Sequence, residues 1–134
     1  MTHETINPAE LGAPRGWSNG ILASRGGRLL CVAGQAGWRD ADGAAPGFVD
    51  QFARALDRTL AVLRDAGAAP TDVVRMTVYV TDVAAYRAAR KELGDVWRRR
   101  FGTYYPAMAL LEVSALVERS AVVEIETTAV IGEG

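Results

Sequence analysis

The sequence predicts a single α+β domain, its elements in the order β-β-α-β-α-β-β, with the helices on one face of a mixed sheet. Three observations predict it. Apolar side chains recur at steps of three and four from Phe48 to Ala66. Val74, Met76, Val78 and Val80 alternate with Arg75, Thr77, Tyr79 and Thr81. Ala121 to Ile131 is rich in β-branched residues. Strands beside helices without strict βαβ repetition argue for α+β rather than a doubly wound sheet.

The chain has 134 residues and no internal linker or repeat, so one domain spans 1–134. Residues 1–15 are polar and rich in turn formers (Pro8, Gly12, Pro14), and are expected to be a poorly structured N-terminal segment. Arg25-Gly26-Gly27-Arg28 separates two short extended runs, the signal of a hairpin. Its second run, Leu29 to Ala33, is apolar on both sides and reads as a buried strand. Asp42-Gly43 and Pro46-Gly47 make a loop of 38–47.

In the first helix, Phe48, Phe52, Ala55, Leu56, Thr59, Leu60 and Leu63 form the buried stripe, and Gly67 supplies a left-handed C-terminal residue. After the alternating strand, Asp82 caps a second helix whose stripe runs through Tyr86, Ala89, Leu93, Val96 or Trp97, and Arg100 or Phe101. Arg98, Arg99 and Arg100 suit the negative end of its dipole better than an anion site. Gly102 and Pro106 break the helix from a strand over Tyr105–Val113, and Ala121–Ile131 closes the chain.

Composition limits the chemistry. His3 is the one histidine, in a polar stretch, which disfavours a His-bearing triad, a His-rich zinc site or a Cys-His dyad. One cysteine forms no internal disulfide, which points to a cytoplasmic protein. Cys31, within an apolar strand, reads as a small core residue. A net charge of -1 argues against nucleic acid as partner. Met1 to Glu10 lacks a signal-peptide core, and no apolar run reaches the ~20 residues of a membrane span. Gly34-Gln35-Ala36-Gly37 lacks the Lys-Ser/Thr of a phosphate loop, and Asp40 and Asp42 are too few for a calcium loop. No metal site and no cofactor are expected.

Several local motifs in order resemble the RidA/YjgF (Rid) family of reactive-intermediate deaminases. They are Gly16-Trp17-Ser18-Asn19, Val32-Ala33-Gly34-Gln35, Thr71-Asp72-Val73-Val74, Thr77-Val78-Tyr79-Val80-Thr81-Asp82, Tyr105-Pro106-Ala107, Leu111-Glu112-Val113 and Val123-Glu124-Ile125-Glu126. The resemblance runs from about residue 14 to 131. It implies a chorismate-mutase-like fold, a homotrimer with ligand clefts between subunits, and hydrolysis of imines or enamines to carbonyl compounds and ammonia. It places Trp17, Ser18, Ala33, Gln35, Met108 and Leu110 around a small-molecule ligand, and Glu124 at the position that activates water.

Four positions depart from the family's pattern. Met108 stands where the family's substrate-binding Arg is expected, and Met has neither charge nor donor. Leu110 replaces a small, often thiol-bearing residue, Trp17 a tyrosine and Ala33 a serine. The chain is therefore similar to Rid subgroups that lack the arginine.

Strand parity puts Met108, Leu110 and Glu112 on one side of their strand, and Glu124 and Glu126 together on one side of theirs. Two readings of Glu124 stay open. It is the acid/base in a cleft walled by Trp17, Met108 and Leu110, where an apolar wall favours the protonated form. Or it is a solvent-side strand residue, or one that binds a neighbouring subunit's backbone. Gln35 offers an amide to a ligand or forms a turn, and Tyr104-Tyr105 packs or rims the cleft. The functions expected are an enzyme acting on an apolar or aromatic imine or enamine, by hydrolytic deamination or tautomerisation, or a non-catalytic ligand-binding trimer. A ribonuclease finds little support in a near-neutral chain with one histidine.

Overall fold

A computed structural model describes residues 3–37 and 46–132. Most of the expected 38–47 loop, with Asp40 and Asp42, lies outside the described residues. The elements are β1 (Glu4–Ile6), β2 (Gly20–Leu22), β3 (Arg28–Gln35), α1 (Phe48–Asp65), β4 (Val73–Val80), α2 (Val83–Ala88), α3 (Arg90–Phe101), β5 (Ala107–Glu112) and β6 (Val123–Ile131). The main sheet has the order β3-β6-β4-β5 and is mixed: β5 runs parallel to β4, and the other pairs are antiparallel.

The helices lie on one face. Leu56, Leu63, Met76, Val78, Val80, Val123 and Ile125 are fully buried between α1, α3 and the sheet. Each large aliphatic side chain so buried stabilises by ~2 kcal/mol. Along β6, Val123, Ile125, Thr127, Ala129 and Ile131 are buried while the residues between them are not, so period-2 alternation selects the helix side. α1 behaves as its stripe predicts, with Phe52, Ala55, Leu56, Thr59 and Leu63 buried. Gly67 takes φ 78°, and the Ala68 amide returns to the Leu63 carbonyl at 2.8 Å, a Schellman-type end.

The N-terminus of α1 has no side-chain cap. Gln51 secures it instead. Its amide nitrogen donates to the Pro46 and Ser120 carbonyls at 3.0 Å each, and its oxygen accepts from the Val122 amide at 2.9 Å. Arg100 ties α3 to α1 through a two-pronged contact with Asp57, 2.7 and 3.1 Å, and also donates to the Val96 carbonyl at 3.0 Å. That uses the helix-end arginine structurally, as its position in the last turn suggested.

Five expectations need correction. Residues 4–6 are ordered into β1, followed by a 3-10 turn over Ala9–Leu11, so the described part of the N-terminal segment is structured. β2 pairs with β1 and not with β3, so the Gly26-Gly27 turn does not close a hairpin. His3 locks this arrangement: its Nδ1 accepts from the Ser24 amide at 3.0 Å, and its Nε2 donates to the Val130 carbonyl at 3.0 Å. β3 is an edge strand, with Leu29 68% exposed and Cys31 exposed rather than in the core. The second helix is two, because Ala89 (φ -106°, ψ 12°) leaves the helical basin between α2, which buries no residue, and α3, which buries Leu93, Trp97 and Phe101.

Candidate functional site

The expected site residues fall into two groups, one at the β5 edge and one on β6 and β3, with β4 between them. At the β5 edge, on the helix side, Trp17, Met108 and Leu110 line a cavity of about 350 Å³. Register explains their meeting. Met108 pairs with Met76 and Leu110 with Val78, and both partners are fully buried under the helices. Trp97 forms the inner wall, stacked on Phe101 at 4.2 Å between ring centroids and on Tyr105 at 5.8 Å. Its indole N–H is committed to the Tyr104 carbonyl at 3.0 Å.

Ser18 positions this wall without reaching the ligand space. Its amide donates to the Pro106 carbonyl at 2.9 Å, its hydroxyl to the Tyr105 carbonyl, and the side chain is buried. The short bridge between Ser18 and Ala107 thus holds Trp17 over the end of β5. Within one chain Ser18 acts as a staple between this turn and β5. Tyr105 rims the cavity, whereas Tyr104 packs, its hydroxyl donating to the Val73 carbonyl. Burial pushes the Tyr104 phenol up to about 12, helped by the nearby Asp72 charge.

Glu124 lies on the interior strand β6, and Ala33 and Gln35 on the edge strand β3 beside it. Glu124 pairs with Tyr79, and its neighbours Val123 and Ile125 point into the core, so Glu124 faces the side without helices. Met108 and Leu110 face the helices. Within one chain, then, Glu124 does not enter the cavity lined by Trp17, Met108 and Leu110. Its carboxylate lies over Gly34, where an added Cβ would come within 2.6 Å of Oε1. Gln35 pairs with Ile125 and turns to the helix side, where its amide oxygen accepts from Arg58 Nε at 3.0 Å. A strand irregularity between Val32 and Gln35 separates these directions.

Glu124 has polar company on the uncovered face. Tyr79 donates its hydroxyl to Glu126 Oε1 at 2.5 Å. That hydrogen bond to a carboxylate, with burial and the Glu126 and Glu124 charges, raises the Tyr79 pKa, against a lowering by Arg75. Glu112, expected on the Met108 side, lies there and accepts from the Val83 amide at 2.9 Å, supporting the start of α2 beside Asp82, which accepts from Ala84. Among the described residues no three His, Cys, Asp or Glu side chains gather as a metal site, and no helix is long and apolar enough to cross a membrane.

Sequence reasoning missed Arg15, Tyr86 and Arg90 as cavity residues. The signal for two of them was present: Tyr86, Arg90, Leu93 and Trp97 recur at steps of four, three and four.

Residues 8–131 match the family model described as Endoribonuclease L-PSP. Among curated proteins, the 2-iminobutanoate/2-iminopropanoate deaminase of Capra hircus is 32% identical over 127 residues, covering 93% of this chain and 85% of that protein. The protein of the same name from Bos taurus is 33% identical over the same shares. A solved structure of the conserved Rid-family protein YyfB from Yersinia pestis superposes with a TM-score of 0.80 at 33% identity, covering 98% of this chain and all of that one. Rv2704 of Mycobacterium tuberculosis, from the YjgF/YER057c/UK114 family, follows at 0.65 and 32%, covering 97% of this chain and all of that one.

Proposed function

The chain belongs to the endoribonuclease L-PSP family, that of RidA and YjgF, and from this membership we propose that it acts on an imine or enamine with an apolar or aromatic body, by hydrolysis or tautomerisation. The observation that carries the reading is the cavity. Trp17, Met108 and Leu110 offer it apolar, uncharged lining, in a chain 32% identical to a 2-iminobutanoate/2-iminopropanoate deaminase. In hydrolysis, water adds to the imine carbon, giving up a proton. The carbinolamine then collapses to a carbonyl as protonated nitrogen leaves as ammonia. Glu124 is the carboxylate proposed to take the proton from water and return it to nitrogen.

Because Glu124 and Met108 face opposite ways in one chain, the reading requires a neighbouring copy to bring Glu124 to the cavity. A homotrimer with clefts between subunits meets that requirement. The single histidine is held by main-chain groups at Ser24 and Val130, which leaves a histidine-based ribonuclease without its residue. The test is ammonia release from imines freshly generated by amino-acid oxidation, aromatic and small aliphatic side by side. Faster release that Glu124→Gln abolishes supports the proposal; unchanged release by Glu124→Gln removes Glu124 from the chemistry. Mixing Glu124→Gln with Trp17→Ala subunits should restore part of the lost rate, because some clefts then carry both native residues. A second reading, a ligand-binding trimer without turnover, draws on the same separation of Glu124 from the cavity. Saturable binding with no ammonia release from any imine would favour it.

A further inference from the structure

The cavity floor lacks the arginine, but the cavity is not without positive charge. Arg15, Arg90 and Arg98 all line it, and among the described residues that line it none is Asp or Glu. All three arginines are exposed, whereas Phe52, Val78, Leu93 and Trp97 are buried, so the charge stands at the mouth and the apolar surface lies within. Arg98 is ion-paired with Asp95. Arg15 and Arg90 have no ion pair or side-chain hydrogen bond among the described residues. They come from separate parts of the chain, Arg15 from the turn that carries Trp17 and Arg90 from the first residue of α3. The fold therefore brings to one opening two guanidinium groups that have no acidic partner among the described residues.

An unpaired guanidinium beside low-dielectric walls attracts an anion more strongly than one on an open surface. It also presents a planar fork that matches a carboxylate. The cavity volume, about 350 Å³, is that of a small-molecule site rather than of a polymer groove.

We propose that Arg15 and Arg90 are the specificity-determining residues of this cavity, selecting an amphipathic carboxylate whose apolar or aromatic body lies on Trp97, Met108 and Leu110 and whose charge stays at the mouth. The proposal rests on the reading of the cavity as the ligand site, and not on imine chemistry. It places the anion anchor opposite to where an arginine at position 108 would put it. A short acid cannot reach the floor while held at the mouth, so the body must be long enough to span the two.

Direct binding of three probes, 4-phenylbutanoate, its primary amide and acetate, tests this by calorimetry and by tryptophan fluorescence at low and high salt. The carboxylate should bind about tenfold tighter than the amide at low salt, as charge-assisted pairing allows, and lose most of that margin at high salt. Acetate should not compete. Arg15→Ala/Arg90→Ala should erase the margin while the amide keeps its affinity, and Arg90→Glu should weaken the carboxylate below the amide. Both sites are exposed, and circular dichroism checks that each variant is folded. Equal binding of carboxylate and amide, or a margin that survives the double substitution, overturns the proposal and leaves the cavity standing as a ligand site. Failure of both phenyl probes to bind takes down the proposal and the ligand-site reading together. Turnover of imines without any charge preference overturns the proposal alone.

Discussion

Met108 and Glu124 lie on opposite faces of one sheet, with β4 between their strands. Their backbones stand about 14 Å apart, two strand spacings across and three residues along, because Met108 lies level with Met76 and Glu124 with Tyr79. Any ligand that touches both must be enclosed by more than one copy of the chain.

Met108→Arg puts a guanidinium on an apolar floor beside Met76 and Leu110. The variant should lose about 1–3 kcal/mol of stability from crowding and a poorly solvated charge. It should gain ammonia release from small imino acids and bind neutral aromatic probes more weakly. Denaturant titration and paired rate measurements check the three effects together.

Gly34→Ala drives a Cβ to within 2.6 Å of the Glu124 carboxylate, which must rotate away. An off-rotamer side chain costs about 0.5–1.5 kcal/mol, so the fold survives. Turnover should fall as it does in Glu124→Gln. A Gly34→Ala variant with full activity would show that the position of this carboxylate is unimportant.

Gln51→Leu keeps the buried volume and removes three hydrogen bonds to main-chain groups. Two carbonyls and one amide lose their partner, at a cost of about 2–4 kcal/mol. The midpoint of urea unfolding should drop accordingly, and hydrogen exchange should rise first at the start of α1 and at Val122.

Tyr104 sets an alkaline limit. Its folded pKa is raised to about 12 from the ordinary 10.0, so the folded chain holds the phenolic proton more tightly than the unfolded chain does. The stabilisation is complete below pH 10 and is lost as pH rises from 10 towards 12. Urea midpoints at pH 9, 10 and 11 should fall in that order. Tyr104→Phe should flatten the fall but not abolish it, because the Tyr79 pKa is also raised, chiefly by its hydrogen bond to Glu126.

Local signals carried the reading of the fold where the information is local. The α1 stripe, Gly67 as a left-handed end, Asp82 as a cap and the alternation of β4 and β6 are all written within a few residues. The partners of a strand are not. Gly26-Gly27 has the chemistry of a tight turn, yet His3, more than 20 residues away, gives β2 a different neighbour. The apolar run of β3 matches a central strand equally well, and its edge position follows only from which strands pair with β6 and β4. Parity correctly grouped residues within one strand. It could not relate Met108 to Glu124, because that needs the register of two strands with a third. Arg15 and Arg90 escaped notice because exposed charges are ordinary, and only the cavity beneath them makes these two distinctive.

The separation of Met108 from Glu124 also bears on symmetry. On the proposed reading, each copy brings Trp17 and Met108 from the helix side of β5 and Glu124 from the uncovered face of β6. A two-fold pair that joins like edges would unite two identical halves and complete no site. A closed ring that joins unlike edges completes as many sites as it has members. On that reading the placement of Met108 and Glu124 on opposite faces ties the number of working clefts to the number of members in the ring.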